Sequence, residues 1–249
     1  MNARIHFLGT GAAMPIKRSL PCIVIKVNSD LYVLDPGEGC QYRMFKRGLS
    51  PLKIKAIFIS HGHGDHYLGM PGLIQTMTLS ERKDQLMIAF PTSLKQSLQN
   101  FVLSGLIKPC FKLELAEVNS SFTYADQKIQ AKAFPVDHGV EAYGYWFSIG
   151  KKTICYSGDT APTQSVVENC RGVDILIHEA TFTNVYEKEA YEQKHSTAGS
   201  AARTAALSGA KMLILVHMSA RHENGEIFFD AYRFYRNTVV ANDEMIVIL

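Results

Sequence analysis

Long apolar runs are missing from this 249-residue chain. None approaches the length of a bilayer span, and the opening MNARIHFLGTGAAM has no extended apolar core of the kind a secretion signal carries. A membrane-spanning or exported protein is disfavoured, and the cytoplasm is the expected compartment. Cysteine is sparse and unpatterned. Cys22, Cys40, Cys110, Cys155 and Cys170 never form a C-x-x-C pair, which argues against a zinc ribbon or a dithiol motif, and their odd number predicts reduced thiols. Low-complexity stretches, Pro/Ser-rich linkers and long charge runs are also absent, so nothing marks a boundary and one domain over residues 1–249 is expected. Net charge is only +3, too mild to announce nucleic-acid binding by itself.

What is present is material for a sizeable core, 47% hydrophobic residues against 20% charged. The charge is unevenly placed. Residues 1–60 hold nine basic side chains (Arg4, Lys17, Arg18, Lys26, Arg43, Lys46, Arg47, Lys53, Lys55) against Asp30, Asp35 and Glu38. Such a bias reads first as a solvated surface and, on an enzyme of nucleic acids, as a face that steers a polyanion. Short β-branched runs recur: RIHFLGTG, CIVIKV, LYVLD, KAIFIS, LMIAF, KIQAKAF, YGYWFSI, KTICYS, VDILIHE, KMLILVH and EMIVIL. Each is of strand length and bounded by Gly, Pro, Asp or His. Helical patterns stand between some of them: QYRMFKRGL, PGLIQTMTLSERK, SLKQSLQNFVLSG stopping at Gly105, and STAGSAARTAALSG. The last opens on Ser196 and Thr197 caps and stops at Gly209. Early strands follow one another closely, as hairpins do, and later ones alternate with helices. This order predicts an α/β sandwich of two packed sheets with helices outside.

The chemistry concentrates in SHGHGDHYLGMPGL, where His61, His63, Asp65 and His66 fall close together. Gly62 and Gly64 are expected to free the backbone for so tight a fold. Such crowding is costly near neutral pH unless a cation orders it. Other apolar runs end in residues of the same kind: His138, Asp159, His178–Glu179 and His217. Strand ends on a common sheet edge converge in space though far apart in sequence. Three or four nitrogen or carboxylate donors suit zinc, with an open position where the ion is catalytic. His61, His63 and His138 would make one set, and Asp65, His66 and His217 another, with Asp159 able to bridge them. His6, alone on an N-terminal strand, is expected to be an ordinary histidine satisfied by hydrogen bonds.

HGHGDH resembles the HxHxDH motif of the metallo-β-lactamase superfamily, and the chain is similar to its ribonuclease Z branch, the tRNA 3′-processing endonucleases. FLGTGAAMP, LDPGEGCQ, the MPGL tail of the histidine cluster, SGDT, HEATF, HSTAGSAA, HMSAR and FYRNTVVANDEMIVI resemble that branch's motifs in order and nearly end to end. The resemblance implies a four-layer αβ/βα sandwich of two mixed sheets flanked by helices, with two related halves. It implies two zinc ions on the two sets above, bridged by Asp159; manganese, iron and cobalt are ions the same donors accept. It makes Asp65 also a proton acceptor, pairs Glu179 with His195 to protonate the leaving oxygen, and makes Asp35 a residue that orients a ligand. His195, expected at a helix start, and the backbone near Ser219–Arg221 would hold phosphate oxygens. His178 is expected buried and hydrogen-bonded behind the ligands, and His222 against substrate or at the surface. The implied reaction is hydrolysis of precursor tRNA, leaving a 3′-hydroxyl and a 5′-phosphate, by a homodimer.

Two features depart from that branch. Its protruding arm, which clamps tRNA, lies between the positions of His138 and Asp159, where this chain has room only for a hairpin such as YGYWFSIGKKTICYS. Its Pro-x-Lys-x-Arg-Asn loop reads here as PIKRSLPC: Pro15 and Lys17 match, Arg18 comes one place early, and the Asn is absent. These departures open a second reading, a small-molecule phosphodiesterase or related ester hydrolase on the same dinuclear scaffold. A binding module with a decayed site is disfavoured by the complete ligand set.

Overall fold

The computed structural model describes residues 2–103 and 108–249. One sheet contains β1 (Ala3–Gly9), β2 (Cys22–Val27), β3 (Asp30–Leu34), β4 (Ile54–Phe58), β5 (Leu86–Pro91), β6 (Leu113–Val118) and, at its other edge, β14 (Ile246–Ile248). The second contains β7 (Thr123–Ala125), β8 (Gln130–Pro135), β9 (Tyr143–Ile149), β10 (Lys152–Tyr156), β11 (Ile175–Glu179), β12 (Leu213–Val216) and β13 (Thr238–Val240). Both sheets are mixed. β1, β2 and β3 pair antiparallel and β3 to β6 run parallel; β7 to β10 are antiparallel and β10 to β13 parallel.

Alternation within each strand builds the layers. In β2, Ile23, Ile25 and Val27 enter the core between the sheets, while Cys22 and Val24 face the helices. A strand covered on both sides needs apolar residues at every position, which is why CIVIKV is so nearly continuous. Helices α1 (Cys40–Lys46), α2 (Gly64–Tyr67), α3 (Met70–Leu79) and α4 (Lys95–Leu103) belong to the first half. Met44, Leu73, Ile74 and Met77 cover the outer face of its sheet. Helices α5 (Gln164–Asn169), α6 (Glu187–Glu192), α7 (Ala198–Ser208) and α8 (Asn224–Tyr232) belong to the second, where α5, α7 and α8 bury Val166, Ala201, Ala205 and Ile227 against the other sheet. Two mixed sheets with outer helices are the four-layer sandwich that the resemblance implied.

Thr197 caps α7 through the backbone N–H of Ser200, and Gly209 ends it in the left-handed region at φ 66°, as the caps in the sequence indicated. The expected stop at Gly105 lies outside the described residues. Strands β6 and β7 were not foreseen. LELAEV carries Glu114 and Glu117 because β6 is an edge strand open to solvent.

Three expectations are corrected. Cys22 is joined to Cys40 and Cys155 to Cys170, leaving only Cys110 as a free thiol among the described residues. Each pair ties a strand to the helix beside it, a proximity that scattered sequence positions conceal. His6 is buried at 6% exposure, yet neither ring nitrogen has a partner. Gly62 and Gly64 take no left-handed φ. A Cβ at Gly64 would meet only the flexible, exposed end of the Leu68 side chain, at 2.8 Å. No helix among the described residues is long and apolar enough to cross a membrane.

Candidate metal centre

The polar residues gather beyond strand ends of both sheets. Past β4 the chain runs through Ser60 and His61 to His63, the N-cap of α2, whose single turn carries Asp65 and His66. From the second sheet come His138 after β8, Asp159 after β10, Glu179 at the end of β11 and His217 after β12. Asp35, one residue past β3, and His217 both hold left-handed backbone, at φ 46° and 57°. Non-glycine residues rarely adopt it, and positions where they do concentrate at functional sites.

Hydrogen bonds on the far side of four of the five rings decide which nitrogen faces inward. His66 donates from Nδ1 to Asp35 Oδ2 at 2.9 Å, and His138 from Nδ1 to the carbonyl of Lys194 at 3.0 Å. His217 Nδ1 lies 2.9 Å from Thr181 Oγ1, and His61 Nδ1 lies 2.9 Å from Ser60 Oγ. Asp35 anchors this layer. It also accepts from Ser60 Oγ at 2.6 Å, from the Ser60 N–H at 2.7 Å and from the Tyr156 hydroxyl at 2.7 Å. The remaining nitrogens converge. His63 Nδ1 is 3.0 Å from His61 Nε2 and 3.2 Å from His138 Nε2, and His66 Nε2 is 3.3 Å from His217 Nε2.

Unprotonated ring nitrogens aimed at one another repel unless a cation lies among them. Ligand atoms of His61, His63 and His138 lie within 4.8 Å of one another, as do those of Asp65, His66 and His217. Asp159 stands between the two triples, its Oδ2 3.2 Å from His217, 3.3 Å from His66 and 3.7 Å from His61. Its Oδ1 is buried without a hydrogen-bond partner, and a buried carboxylate oxygen calls for compensation. These donors fit a pair of divalent cations, five imidazole nitrogens and two carboxylates being what zinc-type ions accept. Two other triples involve His195, but its Nδ1 is already committed to Glu179 Oε1 at 2.7 Å.

The titration behaviour follows. Burial, with His66 nearby, keeps His61 well below its usual pKa, and burial with His138 lowers His63. Burial opposes ionisation of Asp159, but His217 and His66 hold it well below the usual carboxylate range. Burial also opposes a charge on His66, which Asp159 and Asp35 nonetheless raise well above the ordinary value. The buried carboxylates thus demand positive charge here. For His195, burial opposes protonation and Glu179 overrides it, raising the pKa to about 9.

An open cavity of about 690 Å³ adjoins these groups, lined by Met14, Ile16, Phe182, His195, Ser219 and Arg221 among others. His195 precedes Thr197, the N-cap of α7, and so stands outside the helix proper. The Arg221 guanidinium lies 5.2 Å from the ring centres of both Phe182 and Tyr186. Lys17 is not brought into this cavity. It pairs with Glu223 and lines a neighbouring one with Arg18 and Arg43, Ile16 bordering both. His178 is buried with Nδ1 on the Glu179 carbonyl, but strand alternation turns it away from the cleft that Glu179 faces, toward the helices beside Leu176. His222 is buried against Tyr186 rather than at the surface. Sequence reasoning passed over Ser60, Tyr156 and Thr181. Hydroxyls of this kind are common everywhere, and only Thr181 had a local signal, two places after Glu179.

A family model described as a beta-lactamase superfamily domain matches residues 32–218. The chain is 35% identical to the ribonuclease Z of Ignicoccus hospitalis, with 90% of each protein covered, and 32% identical to that of Sulfurisphaera tokodaii, with 95% of each covered. The first alignment runs over 272 positions, more than the 249 residues of this chain, so that relative carries segments this chain lacks. Among solved structures, the short form of human tRNase Z superposes at a TM-score of 0.82 with 29% identity over 98% of each chain. A metallo-beta-lactamase fold protein of Bacillus subtilis reaches 0.89 at 17% identity, a likeness of fold. With a family match over most of its length and relatives this similar from end to end, the chain belongs to the ribonuclease Z family of the beta-lactamase superfamily.

Proposed function

We propose that this protein is a metal-dependent endoribonuclease that cuts precursor tRNA at its 3′ side, leaving a 3′-hydroxyl and a 5′-phosphate. The observation that carries the reading is the pairing of two ligand triples around Asp159 with a proton-donor pair, Glu179–His195, on one open cleft. The similarity to ribonuclease Z proteins supports the substrate. Residues 1–249 are read as one domain because a single apolar core joins both sheets.

His61, His63 and His138 would hold one zinc ion, and Asp65, His66 and His217 the other, with Asp159 between them. Such a pair of cations supplies an activated water and offsets the charge that develops on phosphoryl oxygens. The protein's own groups do the rest. Asp65 lines the cavity and takes the proton of the attacking water. His195 presents Nε2 to the cleft because Nδ1 is bound to Glu179. At neutral pH that imidazole carries a proton, which it gives to the departing 3′ oxygen. Met14 and Ile16, 65% and 71% exposed beside the centre, offer an apolar surface against which an unpaired base can rest.

The homodimer and the cytoplasm complete this reading. Tyr42 and Phe45, 71% and 55% exposed on α1, support an interface there, which analytical ultracentrifugation tests. An RNA-processing role supports the cytoplasm.

One observation favours a second reading. Only the β9–β10 hairpin fills the interval between His138 and Asp159, so nothing projects there to clamp a tRNA body. The deciding experiment compares metal-loaded protein on precursor tRNA and on bis(p-nitrophenyl) phosphate, with Asp65→Ala as the blank. Cleavage of precursor tRNA at the mature 3′ end is expected. Hydrolysis of the small ester without any tRNA cleavage would transfer the assignment to a small-molecule phosphodiesterase.

A further inference from the structure

The geometry points to Thr181 as the positioning residue that ties the second ligand triple to the proton donor through one hydroxyl. The inference rests on the metal-dependent hydrolase reading and adds a residue to it. Thr181 lies just past β11 and is 6% exposed. Its Oγ1 is 2.7 Å from Glu179 Oε2, 2.9 Å from His217 Nδ1 and 3.3 Å from His195 Nδ1.

Chemistry orders these contacts. Three backbone N–H groups and His195 Nδ1 all converge on the two oxygens of Glu179, which therefore act as acceptors. As a carboxylate it can only accept, so the single hydroxyl proton of Thr181 goes to Glu179 Oε2. The hydroxyl oxygen is then an acceptor, and the 2.9 Å contact requires His217 to donate from Nδ1. That fixes the tautomer of His217, with the Nε2 lone pair aimed at Asp159 and the ligand triple. The third contact is the longest, and His195 Nδ1 already donates to Glu179 Oε1 at 2.7 Å. The result is a directed chain: His217 Nδ1–H to Thr181, Thr181 O–H to Glu179, and Glu179 from His195.

Other donors hold Glu179 but do not reach His217. The backbone N–H groups of Thr160 (2.9 Å), Ser196 (3.1 Å) and Thr181 itself (3.2 Å) all point at its carboxylate. Removing the Thr181 hydroxyl therefore leaves Glu179 in place and frees His217. Only a side chain that accepts and donates at one atom serves here, which valine, of almost the same shape, does not.

The test compares Thr181→Val, Thr181→Ser and wild type by steady-state kinetics on precursor tRNA and by metal retention against a competing chelator. Thr181→Val is expected to lower kcat about 10- to 100-fold with KM within about twofold, and to release one of its two ions about tenfold more readily. Thr181→Ser is expected to keep both properties near wild type. Thr181→Ala carries the same test should the valine variant fail to fold. Wild-type kcat and metal retention in the valine or alanine variant would overturn the inference. So would equal impairment of serine and valine, which would assign the role to the methyl group. Inactivity of wild type on every phosphodiester would instead overturn the hydrolase reading, and chelator competition would still report whether Thr181 positions His217.

Discussion

At the scale of residues, the proposed site separates binding from proton transfer. Glu179 and His195 touch each other, and Glu179 is fixed by three backbone N–H groups, so His195 can be changed with little effect on the ligand triples. His195→Gln is expected to lower single-turnover cleavage of precursor tRNA by about 10²- to 10⁴-fold while elemental analysis finds unchanged metal content. Simultaneous loss of metal would place His195 among the ligands instead. His6 makes a separate prediction. Burial first, then Lys26, Arg4 and Arg47, lowers its pKa from 6.5 to about 4. Between those values the unfolded chain takes a proton that the folded one refuses, so stability falls as pH drops from 6.5 toward 4 and is unaffected by this group above 6.5. Urea unfolding of His6→Leu against wild type should show the difference closing in favour of the variant across that window. Parallel curves would dismiss the effect. The candidate ligands were legible because histidine and aspartate at strand ends are uncommon and HGHGDH crowds them. The two candidate sets proposed from the strand ends are the two triples whose ligand atoms the fold brings within 4.8 Å of one another. Thr181 was hidden by being an ordinary hydroxyl, and the unpartnered ring of His6 by being an ordinary histidine in an apolar run.

At the scale of elements, backbone contact joins side-chain contact in seating the helix that carries Asp65 and His66. Gly69, between α2 and α3, donates its N–H to the Pro36 carbonyl at 2.9 Å, and a Cβ on it would come within 2.0 Å of the Gly37 oxygen. The loop it presses against is the one that carries Asp35, the partner of His66. Gly69→Ala is expected to cost about 1–3 kcal/mol of stability in urea unfolding and to weaken metal retention, because it pries Asp35 from His66. Unchanged stability would mean that the two loops relax freely. Strands with continuous β-branched runs were readable to within a residue or two, and so was α7 with its caps. β6 and β7 were not: LELAEV alternates charge with apolar residues at an open edge, where pairing comes from the neighbouring strand and not from burial. The disulfide partners were equally unreadable, since Cys155 and Cys170 meet only after β10 and α5 pack together.

At the scale of the whole molecule, the basic bias of residues 1–60 is partly neutralised by distant acids. Arg43 meets Asp243, Lys46 and Arg47 meet Glu244, and Lys17 meets Glu223. Arg4 and Lys26 stand side by side on β1 and β2 with no ion pair among the described residues. A positive face remains, available to phosphates. Cleavage efficiency on precursor tRNA should then fall more than about tenfold between roughly 50 and 200 mM salt, by counterion release. Hydrolysis of bis(p-nitrophenyl) phosphate should change within about twofold over the same range. Equal salt responses would remove this face from substrate binding.

The ligand triples have a mechanical side. Each draws two members from the rim of the first sheet and its third from the rim of the second: His138 in one, His217 in the other, with Asp159 also from the second. On the proposed assignment, cations are rivets across the seam of the sandwich. Binding that occurs only when the two rims are closed adds its free energy to their closure. Stripping the metal should therefore lower Tm. It should also speed amide exchange first around residues 136–138, 157–160 and 216–218, while the aromatic interior of Phe58, Tyr145 and Phe147 stays protected. Such a molecule comes apart from its catalytic end, like a clasp opened at the lip while the hinge still holds.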